Sequence, residues 1–402
     1  MSKQDIIDND INQELAADGR QAGIEEEPIT PFPFDADRIS ISNKPVPLQT
    51  LVRRLEQGTI SSPLIQRGEG IWNDGQQSRL IESLMLKIPL PLFYVAADED
   101  EKWKVVDGLQ RVTAIRRFVL TKEFALTDLE FIRELNGKKF NELPQKYQNR
   151  IFETEFTFAI INPVTPPEVQ RNIFKRLNTG GLPLTPQEIR HALYYGRSAE
   201  LLKELVCMES FKKATDYRVN DSRMGARELI LRFISFLIRG TALYPKNEDM
   251  DAFLCETMQL INLMPDFDPA DIIKAFGDRD IVLKVNYDNN EDIHSRFETA
   301  MCRAYALFNI HAFRKSTPRS NYRTPVNKSL FEAWSVVLAE MEEETYLVLK
   351  KRKNKLYQEI NSRMYDLNQE FERSISRDSH KPSGVRARYR IINEIVKKII
   401  EE

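Results

Sequence analysis

Asp107, Gly108, Gln110 and Arg111, within "KVVDGLQRVTAI" (residues 104–115), have the types and spacing to hold an anion. Val105 and Val106 read as a buried strand, and the Asp-Gly pair stops it where a helix begins. A helix start leaves backbone N–H groups without intrahelical acceptors and carries the positive end of the helix dipole. Arg111 in that first turn adds a guanidinium fork that fits phosphate or carboxylate. Gly108 lets a ligand approach the backbone closely. Arg111 precedes Ile115 by four residues and Phe118 by seven, which leans it toward the apolar face of its helix. A guanidinium there needs a partner. Asp107 as that partner makes the pair structural. A phosphate at the helix mouth serves equally, with Asp107 then orienting Arg111 or helping to hold a metal-bound phosphate.

The elements that must position this turn leave local signals. "NDGQQSRLIESLMLKIPLP" opens with a capping-box spacing from Asp74 to Gln77. Leu80, Ile81, Leu84, Met85 and Ile88 then recur on one helical arc. Glu82 lies at the border of that arc. It reads as a solvated glutamate, with a metal-binding or water-activating role as the alternative. Pro89 and Pro91 end the helix and lead into "LFYVAA", a short strand. "DEDEK" is a hairpin-like turn, "WKVVD" the next strand, and "LQRVTAIRRFVL" a helix with Val112, Ile115 and Val119 inward. "FTFAIINP" (156–163) is a further strand, and "PPEVQRNIFKRLNTGG" a helix closed by Gly180 or Gly181. "LTPQEIRHALYYG" carries Thr185 as N-cap, Pro186 at the first helical position and Glu188 completing a second capping box.

Around these signals the 402 residues divide into three regions. Residues 1–30 are polar and acidic with few core anchors and are expected to form a mobile tail. Residues 31–200 mix short strands with helices, and residues 201–402 carry mostly helix-period patterns, so the expected class is α+β. A net charge of −2 argues against a chain that chiefly coats nucleic acid, although a local basic patch remains compatible. "KKRKNK" (350–355) and "SHKPSGVRARYR" (379–390) are the concentrated basic stretches, expected as solvated helix faces rather than nucleic-acid contacts. Cys207, Cys255 and Cys302 are far apart and lack Cys-x-x-Cys pairing, which fits a reducing, cytoplasmic setting without a structural zinc. No signal peptide is expected, and "LILRFISFLI" (229–238), too short to span a bilayer, reads as a core helix.

Upstream, "PLIQRGEGIW" (63–72) places Gln66 and Arg67 shortly before the capped helix. Q-R, a tryptophan, "RLIESLMLKIPLPLFYV", then D-G-x-Q-R, and finally "RLNTGGLPLTPQEIRHALYYG" (176–196) resemble, in order, the N-terminal domain of GmrSD-type restriction endonucleases, a ParB/sulfiredoxin-like module. The resemblance covers about residues 40–200. It implies a ParB/sulfiredoxin-like N-terminal domain followed by a mostly α-helical C-terminal domain, with a nucleoside triphosphate of unknown base, and Mg2+ with it, bound in the first. Carried over, Asp107, Gly108, Leu109, Gln110 and Arg111 become the phosphate-binding motif, with Gln66 and Arg67 reaching the same cleft; Asn178 and Thr179 either line that cleft or belong to a helix C-cap and turn that explains the two glycines after them. Asp107, Gln110 and Arg111 would act in hydrolysis. Leu109 stands where the family more often has glutamine, which removes one polar contact.

Family members that cut DNA often carry an HNH-type nuclease domain. None of His191, His294, His311 and His380 sits in such a signature, so a stand-alone member is expected. His191 is expected as a surface or packing residue. The implied function is a nucleotide-binding, hydrolysing protein of a restriction or phage-defence system. It would be an NTPase coupled to DNA or to an operon-encoded nuclease or toxin, as a homo-oligomer in one version, with no membrane partner. The alternatives are a ParB-like DNA- or partner-binding regulator without chemistry and, less favoured, a ParB-like nuclease.

Overall fold

The computed structural model describes residues 24–25, 39–61, 72–177, 184–221, 223–246, 249–276, 286–320 and 322–401. They fall into two compact units, one within Pro33–Leu184 and His191–Leu193, the other within Thr185–Arg190 and Tyr194–Glu402. Ile24 and Glu25 belong to the second.

In the first unit the elements are β1 (Ile41–Pro47), α1 (Leu48–Glu56), β2 (Ile60–Ser61), α2 (Asp74–Met85), β3 (Phe93–Ala97), β4 (Trp103–Asp107), α3 (Leu109–Ile115), α4 (Gln145–Glu153), β5 (Glu155–Ile161) and α5 (Pro167–Leu177). The strands form one five-stranded mixed sheet in the order β1-β5-β3-β4-β2. β3 lies antiparallel to β4 and parallel to β5, while β1 runs antiparallel to β5 with Ile41 opposite Ile161. Phe93, Trp103, Phe156 and Phe158 pack ring against ring on the sheet. They share their core with Ile81, Leu84 and Met85 of α2 and Val112 and Ile115 of α3.

Most of the predicted elements are present, with instructive shifts. The N-cap of α2 is Asn73, not Asp74: its side chain accepts from the Gln76 N–H at 2.9 Å, and Gln76 returns the bond to the Asn73 N–H. Leu80, Ile81, Leu84 and Met85 are buried as expected, but the helix ends at Met85 and Ile88 is exposed beyond it. β1 carries no clear alternation and was not foreseen. It is an edge strand, and its prolines at 45 and 47 offer no N–H. The helix after Gly108 changes winding, with its last turn, Arg116–Leu120, π-wound.

The second unit is helical: α6 (Pro186–Leu193, most of which belongs here), α7 (Arg197–Cys207), α8 (Glu209–Ala214), α9 (Gly225–Arg239), α10 (Met250–Leu263), α11 (Pro269–Phe276), α12 (Asn290–Phe308), α13 (Lys328–Glu340), α14 (Glu343–Lys351), α15 (Lys353–Met364), α16 (Glu370–Ile375) and α17 (Pro382–Glu401). α6 begins as its sequence predicts, with Thr185 as N-cap, Pro186 in the first turn and Glu188 completing the box. Every residue of α9 is buried, charged ones included. Its charges survive burial because they are paired. Glu228 meets Lys328 at 2.8 Å and Arg190 at 3.3 Å, and Arg232 meets Glu332 at 3.1 Å. Glu332 in turn accepts from Arg388, which is completely buried and also donates to the carbonyls of Ser374 and Ser379. Within the basic stretch 379–390, therefore, Arg388 is not on a solvated face but at the centre of the helical core. Burial pushes the Glu228 carboxyl upward, yet Lys328, Arg190 and Arg232 outweigh it and hold it at about 2.

Ile24 and Glu25 are anchors within the region read as a tail with few of them. Ile24 is buried and bridges to Val326, and Glu25 pairs with Lys315. The rest of residues 1–30 lies outside the described residues. Among the described residues, no helix is long and apolar enough to cross a membrane.

Candidate functional site

The turn that joins β4 to α3 is built from Gly108 upward. Its backbone is left-handed, at φ +93°, and it stands at the N-cap position of α3 without a capping side chain. A Cβ there would come within 2.4 Å of the Phe93 ring. Glycine is required twice, by the sign of φ and by the close approach of β3. The first helical bond runs from the Val112 N–H to the Gly108 carbonyl at 2.9 Å. Among the described residues, the N–H groups of Leu109, Gln110 and Arg111 have no acceptor.

Arg111 turns back over this junction. One Nη2 bond goes to Asp107 Oδ2 at 3.1 Å and another to the Leu92 carbonyl at 3.2 Å, while Nη1 donates to the Pro91 carbonyl. The guanidinium also lies 4.2 Å from the Phe93 ring centroid, a cation–π contact. Burial lowers its pKa, opposed by Asp107, yet an arginine stays charged under such a shift. The arginine side chain is 11% exposed and the aspartate 38%, so the acid faces outward and the cation lies behind it. Both possibilities raised by the sequence were a grip by Arg111 on phosphate or on Asp107. The geometry has the second, with the Pro91 and Leu92 carbonyls added.

Gln110 is likewise engaged. Its Oε1 accepts from the Trp72 N–H at 3.3 Å, and Gln77 Nε2 donates to the Trp72 carbonyl at 2.7 Å. Trp72 is thus held from both sides, where the chain enters α2. Gln77 Oε1 in turn accepts from Arg117, which also pairs with Asp74 and Glu123. Leu109 opens the helix and packs against the core. Gln66, Arg67 and Asn178, with Thr179 and the glycines after it, lie outside the described residues.

Glu82 is neither a solvated glutamate nor a metal ligand. It is 3% exposed, and its carboxylate accepts the backbone N–H groups of Glu130, Phe131 and Ile132 at 2.7–3.0 Å. The segment it anchors lies about fifty residues later, which no local pattern reveals. Phe93 also went unnoticed in the sequence, and Trp72 entered only as a motif residue without a partner. The left-handed glycine signals that something sits close, without saying what. His191 is buried on α6, the packing half of its expectation. Among the described residues no group of three His, Cys, Asp or Glu side chains could hold a metal by itself. A hard cation such as Mg2+ needs only one or two carboxylates when phosphates complete its shell, and Asp107 supplies one exposed carboxylate beside the turn.

Residues 48–195 match the family model described as GmrSD restriction endonuclease, N-terminal domain. No curated protein matches the chain, and no solved structure does. The matched span begins with α1 and ends just past α6, and it contains the Gly108 turn with every strand that supports it except β1. Over residues 48–195 the chain is similar to the GmrSD restriction endonuclease N-terminal domain family.

Proposed function

We propose that this chain serves a DNA restriction or phage-defence system, and that its first unit, a ParB/sulfiredoxin-like module, binds a nucleoside triphosphate with Mg2+ at the turn after β4. The family match over residues 48–195 supports the restriction role. One observation carries the nucleotide: three successive backbone N–H groups, of Leu109, Gln110 and Arg111, follow the left-handed Gly108 without acceptors among the described residues. Phosphoryl groups seat on such donors.

The roles within this site differ from a direct arginine clamp. Asp107, the exposed member of the pair, would repel a bare phosphate, so in this reading it faces the divalent cation that accompanies the nucleotide. Arg111 acts as a positioning residue that fixes the Asp107 carboxylate and ties the turn to the start of β3. Gln110 holds Trp72 through its carbonyl oxygen and leaves its amide N–H groups for the ligand side. Gln66, Arg67 and Asn178 remain proposed contacts on the strength of the family motifs.

Calorimetric titration of nucleoside triphosphates with and without Mg2+ tests this reading. Binding that requires Mg2+ and weakens at least about tenfold in Asp107→Asn is the expected result, the size of one lost carboxylate–metal contact. Absence of binding to any of the four common triphosphates in Mg2+ would reject it.

A second reading, a regulator that keeps the shape without hydrolysis, is favoured by the engagement of Gln110 and Arg111 in protein contacts. Phosphate release in the presence and absence of DNA separates the two. Nucleotide binding without turnover selects the regulator, with a separately encoded nuclease or toxin as its client.

A further inference from the structure

Within the helical unit two isolated β-bridges meet at Val326. Val326 bridges antiparallel to Arg314 on one side and parallel to Ile24 on the other. The Glu25 N–H donates to the Val326 carbonyl at 2.8 Å, as a third strand would. Ile24 is 5% exposed and belongs to the main helical core. The Glu25 carboxylate is divided between two donors: Lys315 Nζ reaches one oxygen at 2.7 Å, and Asn327 Nδ2 the other at 3.0 Å. Asn327 is also the N-cap of α13, accepting from the Leu330 N–H and donating to the Ile375 carbonyl. The acid therefore docks at the positive end of a buried helix.

Each feature reads one property of the occupant. The open edge at Val326 reads extended backbone, the core opening reads a branched apolar side chain, and Lys315 with Asn327 reads a carboxylate on the next residue. This is strand addition with alternate side-chain recognition. In the sequence Ile24 is followed by three glutamates, so the segment matches the donor side in both size and charge. The attachment is small: one buried side chain, one ladder bond, one partly exposed ion pair and one side-chain hydrogen bond from Asn327.

We propose that the strip formed by Arg314, Lys315, Val326 and Asn327 is a receptor for an extended apolar–acidic peptide. Residues Ile24 and Glu25 of the same chain occupy it in cis as a releasable clip. This inference is independent of the nucleotide reading.

The test uses the full chain. Hydrogen exchange at Glu25 and limited proteolysis within residues 1–30 are compared for wild type, Glu25→Lys, Lys315→Glu and the double exchange. Each single reversal is expected to speed exchange and cleavage about tenfold, the factor for a lost ion pair replaced by repulsion, and the double exchange to restore protection. A labelled peptide of residues 20–30 is expected to bind Ile24→Asp, whose site is vacated, and not wild type. The same peptide carrying Glu25→Lys should fail on Ile24→Asp. Thermal unfolding of Ile24→Asp checks that the helical unit remains folded. Equal exchange in wild type and both single reversals would overturn the proposal, as would a folded Ile24→Asp chain that ignores the peptide. A dimer in which the clip crosses between copies would overturn its assignment in cis.

Discussion

Nη2 of Arg111 stands 3.1 Å from Oδ2 of Asp107, and the acid of this pair is the more exposed partner. That order decides what each residue can do. A guanidinium meant to clamp an anion would face solvent. This one faces the Pro91 and Leu92 carbonyls and the Phe93 ring, and it welds the end of β4 to the entry of β3.

Arg111→Lys therefore tests position rather than charge. A lysine keeps the positive charge but loses the fork, so at least one of the carbonyls is left without its donor. The expected loss of stability is about 2 kcal/mol in urea unfolding, with or without nucleotide. A lysine variant as stable as wild type, yet unable to bind nucleotide, would return Arg111 to direct phosphate contact.

Gly108→Ala is expected to cost more than about 2 kcal/mol, from the left-handed backbone and from overpacking against a buried ring. Removing the ring in Phe93→Ala takes away the second contribution. In that background the glycine change should cost only roughly 1 kcal/mol, so the double-mutant cycle is non-additive. Additive costs would separate Gly108 from Phe93.

Glu82→Ala removes the acceptor for three backbone N–H groups, one of them buried at Ile132. A loss of about 3 kcal/mol is expected, with faster hydrogen exchange confined first to Glu130, Phe131 and Ile132. Mg2+ affinity should not change. A Glu82→Ala chain that retains protection at these amides would remove the anchoring role.

Glu228 predicts an acid limb of stability. Its carboxyl sits at about 2 in the folded chain, below the ordinary value of 4.5, so the folded state binds its proton less readily. The stabilisation is fully present above pH 4.5 and is lost as pH falls toward 2, on the order of 3 kcal/mol in total. Glu228→Gln should flatten that limb in acid titrations of unfolding. It should also destabilise the protein by about 3–5 kcal/mol at neutral pH, because Lys328 loses its carboxylate and Arg190 and Arg232 each lose one of the two they face. An unchanged acid limb in the variant would assign it to other carboxylates.

Local chemistry was legible and distant pairing was not. The strand Trp103–Asp107 and the Thr185 cap of α6 follow directly from hydrophobic runs and capping spacing. The start of α2 was displaced by one residue because Asn73 and Asp74 are both good caps and Gln76 and Gln77 both fit the third position. Glu82 was misread because periodicity describes one helix face and cannot reveal a loop that folds over it. Arg388 was read as a surface charge for the same reason: its partner Glu332 is 56 positions away. The Gly108 turn itself was visible, whereas the inward direction of Arg111 depended on two carbonyls and a ring contributed by β3 and the residues before it.

Glu332 receives Arg232 from α9 and Arg388 from α17, all three removed from water. Loss of Glu332 takes from both arginines the carboxylate they share, and loss of either arginine leaves a fully buried acid with one cation in place of two. The trio can change only in concert, so chimeras between diverged homologues should survive when all three helices come from one parent and fail when the crossover divides them.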